Sequence, residues 1–302
     1  MRTHDGLELA VRLRGSDDAR VTVVLAHCWT ADMDDWHYQV RDLLDSFGHD
    51  VRIVTWDHRG HGASDPAPAR ACTIENLGRD MADVIDLHAG TGRLVIAGHS
   101  IGGMATLALA EQRPDILART DGVLFVSTSS GDLDSVTLGL PEAGRWVKAQ
   151  IPRVLAARAR LLSRKVRRRS PRIEAEVVHR FLFGRPMRLR DCGLVIDQLI
   201  NCPPATMAGF YRDFMTHDRA AALPAFDGIP ACVLVGDRDV LTPVAHARRI
   251  AAGILSARLV IAPGAGHMLP LERDRLVSEE LDDLVTGALA SARAREAVAA
   301  PV

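Results

Sequence analysis

The chain has 302 residues, 47% of them apolar, and a formal net charge of −1. That length suits one large α/β domain with an insertion, or two small domains, and supplies enough apolar material for a sizeable core. The near-neutral balance gives no global attraction to nucleic acid, so no nucleic-acid partner is expected. Cys28, Cys72, Cys192, Cys202 and Cys232 are scattered, odd in number and without a Cys-x-x-Cys pair. This speaks against a disulfide framework or a zinc site and for a reducing compartment. With no apolar signal core at the N-terminus and no run of membrane-span length, a cytoplasmic protein lacking a transmembrane segment is expected.

Residues 7–13 alternate apolar and polar, as a half-buried strand does. Val21–Ala26 and Val51–Trp56 are short β-branched runs suited to strands buried on both faces. Between them residues 36–47 predict an amphipathic helix. Thr73 is placed to cap a helix ending near His88, with Ile74, Leu77, Met81, Val84, Ile85 and Leu87 on one stripe. Strands follow at 94–97 and 123–126, separated by a helix over 104–112. From 131 to 223 strand-like runs give way to helical stretches. Strands resume at 231–235 and 257–261 around a helix over 243–252. A helix over 270–289 closes the chain, and the Ala- and Arg-rich tail beyond it is expected to fray.

Such alternation predicts an α/β fold with a mostly parallel central sheet and helices on both faces. The predicted units are a core of residues 1–130 and 224–302 and a helical cap insertion of residues 131–223. In parallel sheets ligands gather at the carboxyl ends of the strands. His27, Asp57, Ser100 and the Ser127-Thr128 turn all fall there.

One pentapeptide organises the rest: Gly98-His99-Ser100-Ile101-Gly102, followed by Gly103. Gly-x-Ser-x-Gly is weak alone, but here an apolar strand precedes it and a helix follows, the context that presents a nucleophile on a sharp turn. Residues without Cβ relieve the crowding on either side of Ser100. Asp239 and His267 each follow a later predicted strand. A serine hydroxyl needs a histidine to take its proton, and a carboxylate to orient the ring and stabilise its cation. Asp237 is a rival acid, and Asp239 could instead cap the helix that follows. His58-x-x-His61 lacks a third ligand, and Asp57 and Arg59 read as loop ties. Gly60-x-Gly62 is no dinucleotide fingerprint, so no metal and no cofactor are expected.

Four stretches together resemble the α/β-hydrolase superfamily, in its branch of small esterases, lipases and haloperoxidase-like enzymes. They are Asp57-His58-Arg59-Gly60-His61-Gly62-Ala63-Ser64, Gly98 to Gly103, Leu234-Val235-Gly236-Asp237-Arg238-Asp239-Val240-Leu241-Thr242-Pro243, and Gly266-His267. The resemblance implies a catalytic triad of Ser100, Asp239 and His267, and selects Asp239 over Asp237. It also implies an oxyanion hole from the backbone N–H groups of Ile101 and Trp29. The loop before Trp29 departs from the family's His-Gly-x: Cys28 replaces the glycine, where it either narrows the pocket or is tolerated at negative φ. The serine argues against epoxide hydrolase and haloalkane dehalogenase chemistry, which uses a carboxylate at that position in this family.

The cap carries 15 Arg or Lys residues between Arg145 and Arg190 against two acids, Glu174 and Glu176. Val147, Ile151, Val154, Leu155, Leu161 and Leu162 form an imperfect apolar stripe among them. Three readings compete: a solvated helix face, a docking surface for an acidic acyl carrier or coenzyme A thioester, and a membrane-surface helix. Later, Met207, Phe210, Tyr211 and Phe214 share one helical side, as core or as pocket lining. The expected function is a serine hydrolase cleaving a carboxylic ester or related small-molecule acyl substrate through an acyl-enzyme. Acyl transfer or thioester cyclisation with the same triad is the nearest alternative. A non-catalytic small-ligand-binding module on the same fold is the alternative from another class.

Overall fold

Seven strands form one sheet in a computed structural model that describes residues 1–136, 146, 150, 153–154, 157, 160–162 and 164–299. They are β1 (Val11–Gly15), β2 (Val21–Ala26), β3 (Val51–Trp56), β4 (Arg93–His99), β5 (Thr120–Val126), β6 (Ala231–Gly236) and β7 (Ala257–Ala262). Their spatial order is β1-β3-β2-β4-β5-β6-β7; every neighbouring pair is parallel except β1 with β3.

The central strands are apolar throughout because both faces are covered. Alternate side chains of one strand enter different cores. On β2, Val24 and Ala26 pack with α2 (Ile74–His88) and α3 (Ile101–Gln112). Val21, Val23 and Leu25 pack on the opposite face with α1 (His37–Phe47) and the C-terminal helix Asp274–Ala299. Thr73 caps α2, its hydroxyl accepting from the Asn76 N–H at 3.2 Å.

Two ends differ from expectation. The edge strand begins at Val11 rather than residue 7, because residues 1–9 fold on themselves: Leu9 N–H donates to Met1 O and Thr3 N–H to Leu7 O, both at 2.8 Å. Beyond Ala290 the last helix continues to Ala299, where the tail was expected to fray; residues 300–302 of that expectation lie outside the described residues. Ala, Arg and Glu favour helix, and Arg20 anchors Glu296 at 3.2 Å.

Between β5 and β6 the described residues form helices joined by irregular stretches. The helices include Arg164–Arg169, Arg172–Val177, a π-helical turn Val178–Leu182, α4 (Leu189–Asn201) and α5 (Pro204–Phe214). Part of the positive charge of this segment is used internally. Buried Arg167 donates to Ile200 O at 2.6 Å, Arg168 pairs with Asp197 at 2.6 Å, and Arg188 reaches Asp274 at 2.6 Å. Of the apolar stripe, Val147, Ile151 and Leu155 lie outside the described residues, whereas Val154 and Leu161 are exposed. No helix among the described residues is long and apolar enough to cross a membrane.

Candidate active site

β4 ends at His99, and Ser100 makes the turn into α3 with φ 54° and ψ −113°. A non-glycine residue at positive φ is strained, and here the neighbours enforce it. A Cβ on Gly98 would lie 2.4 Å from Gly103 N, and one on Gly102 would lie 2.3 Å from Ala26 O. Only glycine lets strand, helix and β2 approach this closely. Ser100 O accepts from the N–H groups of Gly103 and Met104 and from the Thr128 hydroxyl, which pins the turn.

Asp239 lies beyond β6, fully desolvated, and its Oδ2 meets His267 Nδ1 at 2.8 Å. Oδ1 accepts from the N–H groups of Leu241 and Thr242 at 2.9 Å, and Oδ2 from the Thr242 hydroxyl at 2.8 Å. Burial alone would raise this carboxyl. The charge and hydrogen bond of His267, with the Thr242 donors, outweigh it and hold Asp239 below the ordinary carboxylate range. The rival Asp237 is exposed and accepts from the Gly264 N–H at 2.7 Å, tying down the loop that leads to His267. With Nδ1 facing Asp239, the other ring nitrogen of His267 is left for the cavity that His267 and Ser100 both line.

The floor of that cavity also includes Ile101, and one rim is Cys28, Trp29 and Thr30. Among the described residues, neither the Trp29 nor the Ile101 backbone N–H donates to another protein group. Both are thus available to an anion beside Ser100, Ile101 with the positive end of α3 behind it. Cys28 sits at negative φ, and its N–H is taken by Asp35 Oδ2 at 3.2 Å. The backbone strain in this loop falls on Thr30, at φ 65°. The thiol is raised well above its usual value, chiefly by burial and then by Asp35 and Asp239. It lines the cavity as a small apolar group.

The loop of Cys28, Trp29 and Thr30 is held by three buried histidines. His27 Nδ1 donates to Cys28 O at 2.7 Å, while its Nε2 accepts from the His58 N–H at 2.9 Å. His58 Nε2 returns to His27 O at 3.0 Å. His61 Nε2 accepts from the Thr30 N–H at 3.2 Å, and its Nδ1 donates to Arg59 O at 3.1 Å. Burial lowers all three, His61 to about 4, so each ring is neutral and can accept. Arg59 forms a two-pronged pair with buried Asp80 at 2.6 and 2.7 Å. Asp57 accepts from Met33 and Ala63 N–H groups. His58 and His61 are thus loop ties like their neighbours.

The walls come from the segment between β5 and β6, through Leu133, Val177, Phe181, Leu182, Leu199, Tyr211, Phe214 and Met215, with Met104 and Leu241 from outside it. Tyr211 and Phe214 are there, as one reading of their stripe expected. Met207 and Phe210 are not: Met207 is buried in a core cluster that includes Val195 and Leu199, and Phe210 in the one that includes Cys72 and Leu77. A helix buried on more than one side sends only part of its apolar stripe to the cavity.

Two acids escaped sequence reasoning. Asp35 Oδ2 lies 2.7 Å from His99 Nδ1, and Glu272 accepts from three backbone N–H groups around His267. Their only signal in the sequence is a carboxylate beside or within an apolar run, at Trp36 and at Met268 to Leu271.

The model of the alpha/beta hydrolase family matches residues 23–280. The chain belongs to that family. A Caulobacter protein, provisionally named carbamate hydrolase RutD, is 28% identical over 88% of this chain and 90% of its own. An esterase of Thermogutta terrifontis superposes with a TM-score of 0.73 at 25% identity, over 95% of this chain and 96% of that one. The enol-lactonase of Burkholderia xenovorans LB400 gives 0.72 at 25%, over 93% and 97%. The chain is thus a hydrolase of the alpha/beta family.

Proposed function

We propose that this hydrolase cleaves a carboxylic ester with an apolar acyl group through a covalent intermediate on Ser100. The observation that carries this reading is the 2.8 Å bond of buried Asp239 to His267 beside the cavity that holds the strained Ser100. Ser100 Oγ attacks the ester carbonyl as His267 accepts the hydroxyl proton, and Asp239 stabilises the imidazolium. The carbonyl oxygen becomes negative beside the Trp29 and Ile101 N–H groups. The tetrahedral species collapses, the alkoxide leaves and takes the proton from His267. A water then repeats the sequence on the acyl-enzyme and frees the acid and Ser100.

The walls support this substrate class. The described lining holds aromatic and aliphatic side chains, and His267 is its one ionisable nitrogen base. A small polar carbamate, the substrate type in the name of the Caulobacter relative, would leave that surface wet.

The test is intact-mass analysis after exposure to a fluorophosphonate, run on the native chain and on Ser100→Ala. A single adduct on the native chain alone, with turnover of apolar nitrophenyl esters, is the expected result. Absence of both on the native chain would overturn the reading and favour a ligand-binding module on the same fold.

A further inference from the structure

We propose that Glu272 is a positioning residue which locks the insertion onto the loop carrying His267, so that one cavity wall and the histidine move as a unit. This rests on the assignment of His267 as the base.

The Glu272 carboxylate is buried and takes backbone N–H groups from two separate parts of the chain. From the histidine loop, Gly266 donates at 2.9 Å and Met268 at 3.0 Å. From the insertion, Gly184 donates at 2.7 Å. The two segments are also joined directly: the N–H groups of His267 and Met268 both donate to Leu182 O, at 2.7 and 3.2 Å. Arg185 N–H donates to Gly264 O at 2.8 Å. The approach is so close that a Cβ on Gly184 would lie 2.2 Å from Gly264 O, and one on Gly266 would lie 2.5 Å from Gly184 N.

Leu182 connects this joint to the substrate. Its side chain lines the cavity while its carbonyl holds the His267 backbone. On the far side His99 Nε2 meets His267 O at 2.9 Å, so the backbone of His267 is held from both directions. Burial raises this carboxyl, and the three amide donors work against that shift; a carboxylate serving three amides is held more firmly than a neutral contact and leaves little slack. An acyl group pressing on Leu182 therefore bears on the position of the imidazole, and wall and base respond together.

Glutamine at 272 keeps the size but faces an NH2 group toward amide donors, so the joint loosens without a cavity. For Glu272→Gln the expected result is a kcat lower by about tenfold to a hundredfold on a long apolar ester, the scale of a misplaced catalytic group. KM should stay within about threefold, and the loss should shrink for an acetyl ester that does not reach Leu182. The rate of fluorophosphonate labelling of Ser100 should fall in parallel. Glu272→Asp keeps the acceptor but shortens its reach, and should repeat the pattern more weakly; it decides the matter where Glu272→Gln does not fold.

Both rates are normalised to the folded fraction. If both variants lose stability yet label and turn over at the wild-type rate, the carboxylate is a fold brace and the proposal is overturned. If the wild type labels at Ser100 but hydrolyses no ester, the ester reading fails while the labelling rates still decide the role of Glu272.

Discussion

Nδ1 of His99 lies 2.7 Å from Asp35 Oδ2 while its Nε2 lies 2.9 Å from the carbonyl of His267, so both ring nitrogens face acceptors. Only the imidazolium satisfies both. Burial opposes a charge there, but Asp35, by charge and hydrogen bond, outweighs it and lifts His99 above the ordinary histidine range. A base raised in the folded state stabilises below its unfolded value and loses that contribution as pH climbs through the folded one. Asp35→Asn would strand the buried ring. The expected cost is about 3–5 kcal/mol at pH 6, less in alkaline solution, read from urea unfolding midpoints. A cost under about 1 kcal/mol at pH 6 would show that the pair is not charged.

The histidines under the Cys28–Thr30 loop have the opposite sign. His61 falls to about 4 because it is buried, and its Nε2 must accept from Thr30. The unfolded chain binds that proton near pH 6.5, the folded one does not. Stability is therefore lost as pH drops from about 6.5 toward 4, by up to about 3 kcal/mol for this one ring. His217, lowered to about 4 by burial, adds to the same window. The contribution of these rings to the urea midpoint should fall between pH 7 and 4.5, offset in part by Asp32, which burial raises to about 6. His61→Gln can still accept from Thr30 and donate to Arg59, but it does not titrate. It should flatten the profile by about one proton; an unchanged slope would remove His61 from the account.

How much of this could be read beforehand follows the range of each signal. The sheet was legible because strands buried on both faces are written as unbroken apolar runs, such as Val21–Ala26 and Ala231–Gly236. The Ser100 turn was legible because close approach there demands glycine, at Gly98 and Gly102. Asp239 and His267 could be named because each follows such a strand. Asp35 and Glu272 could not: a carboxylate beside an apolar run marks burial but does not say which groups it serves, and His99 lies 64 residues from Asp35 and Gly184 lies 88 from Glu272. Nor could the sequence separate Tyr211 from Phe210. One helical side serves both cavity and core, and the division depends on what packs against it.

Cys28 tests the loop that departs from the family pattern. Its φ is negative and its N–H already serves Asp35, so glycine is not needed for the conformation. Cys28→Gly should cost about 0.5–1 kcal/mol through added freedom of the unfolded chain and should leave ester turnover within a few-fold of the native chain. Stopped-flow acylation with a chromogenic ester checks this. A hundredfold change in either direction would mean that the side chain shapes the position of the Trp29 N–H.

Neighbouring aromatics on α5 should separate specificity from stability. Phe214 packs edge-on against Trp29, ring centroids 5.1 Å apart, and both face the cavity. Phe214→Ala enlarges the apolar wall and should shift kcat/KM toward bulkier acyl groups, with each methylene of lost contact worth about 0.8 kcal/mol. Phe210 is fully buried in the core cluster that includes Cys72 and Leu77, away from the cavity lining. Phe210→Ala should cost about 3–5 kcal/mol of stability and leave the chain-length preference of the folded enzyme unchanged. The pair is measured together, by thermal unfolding and by a panel of nitrophenyl esters of rising acyl length. A specificity change in Phe210→Ala as large as that in Phe214→Ala would mean that α5 shifts as a body when either ring is lost, and that the cavity wall is set by the helix and not by the side chains that line it.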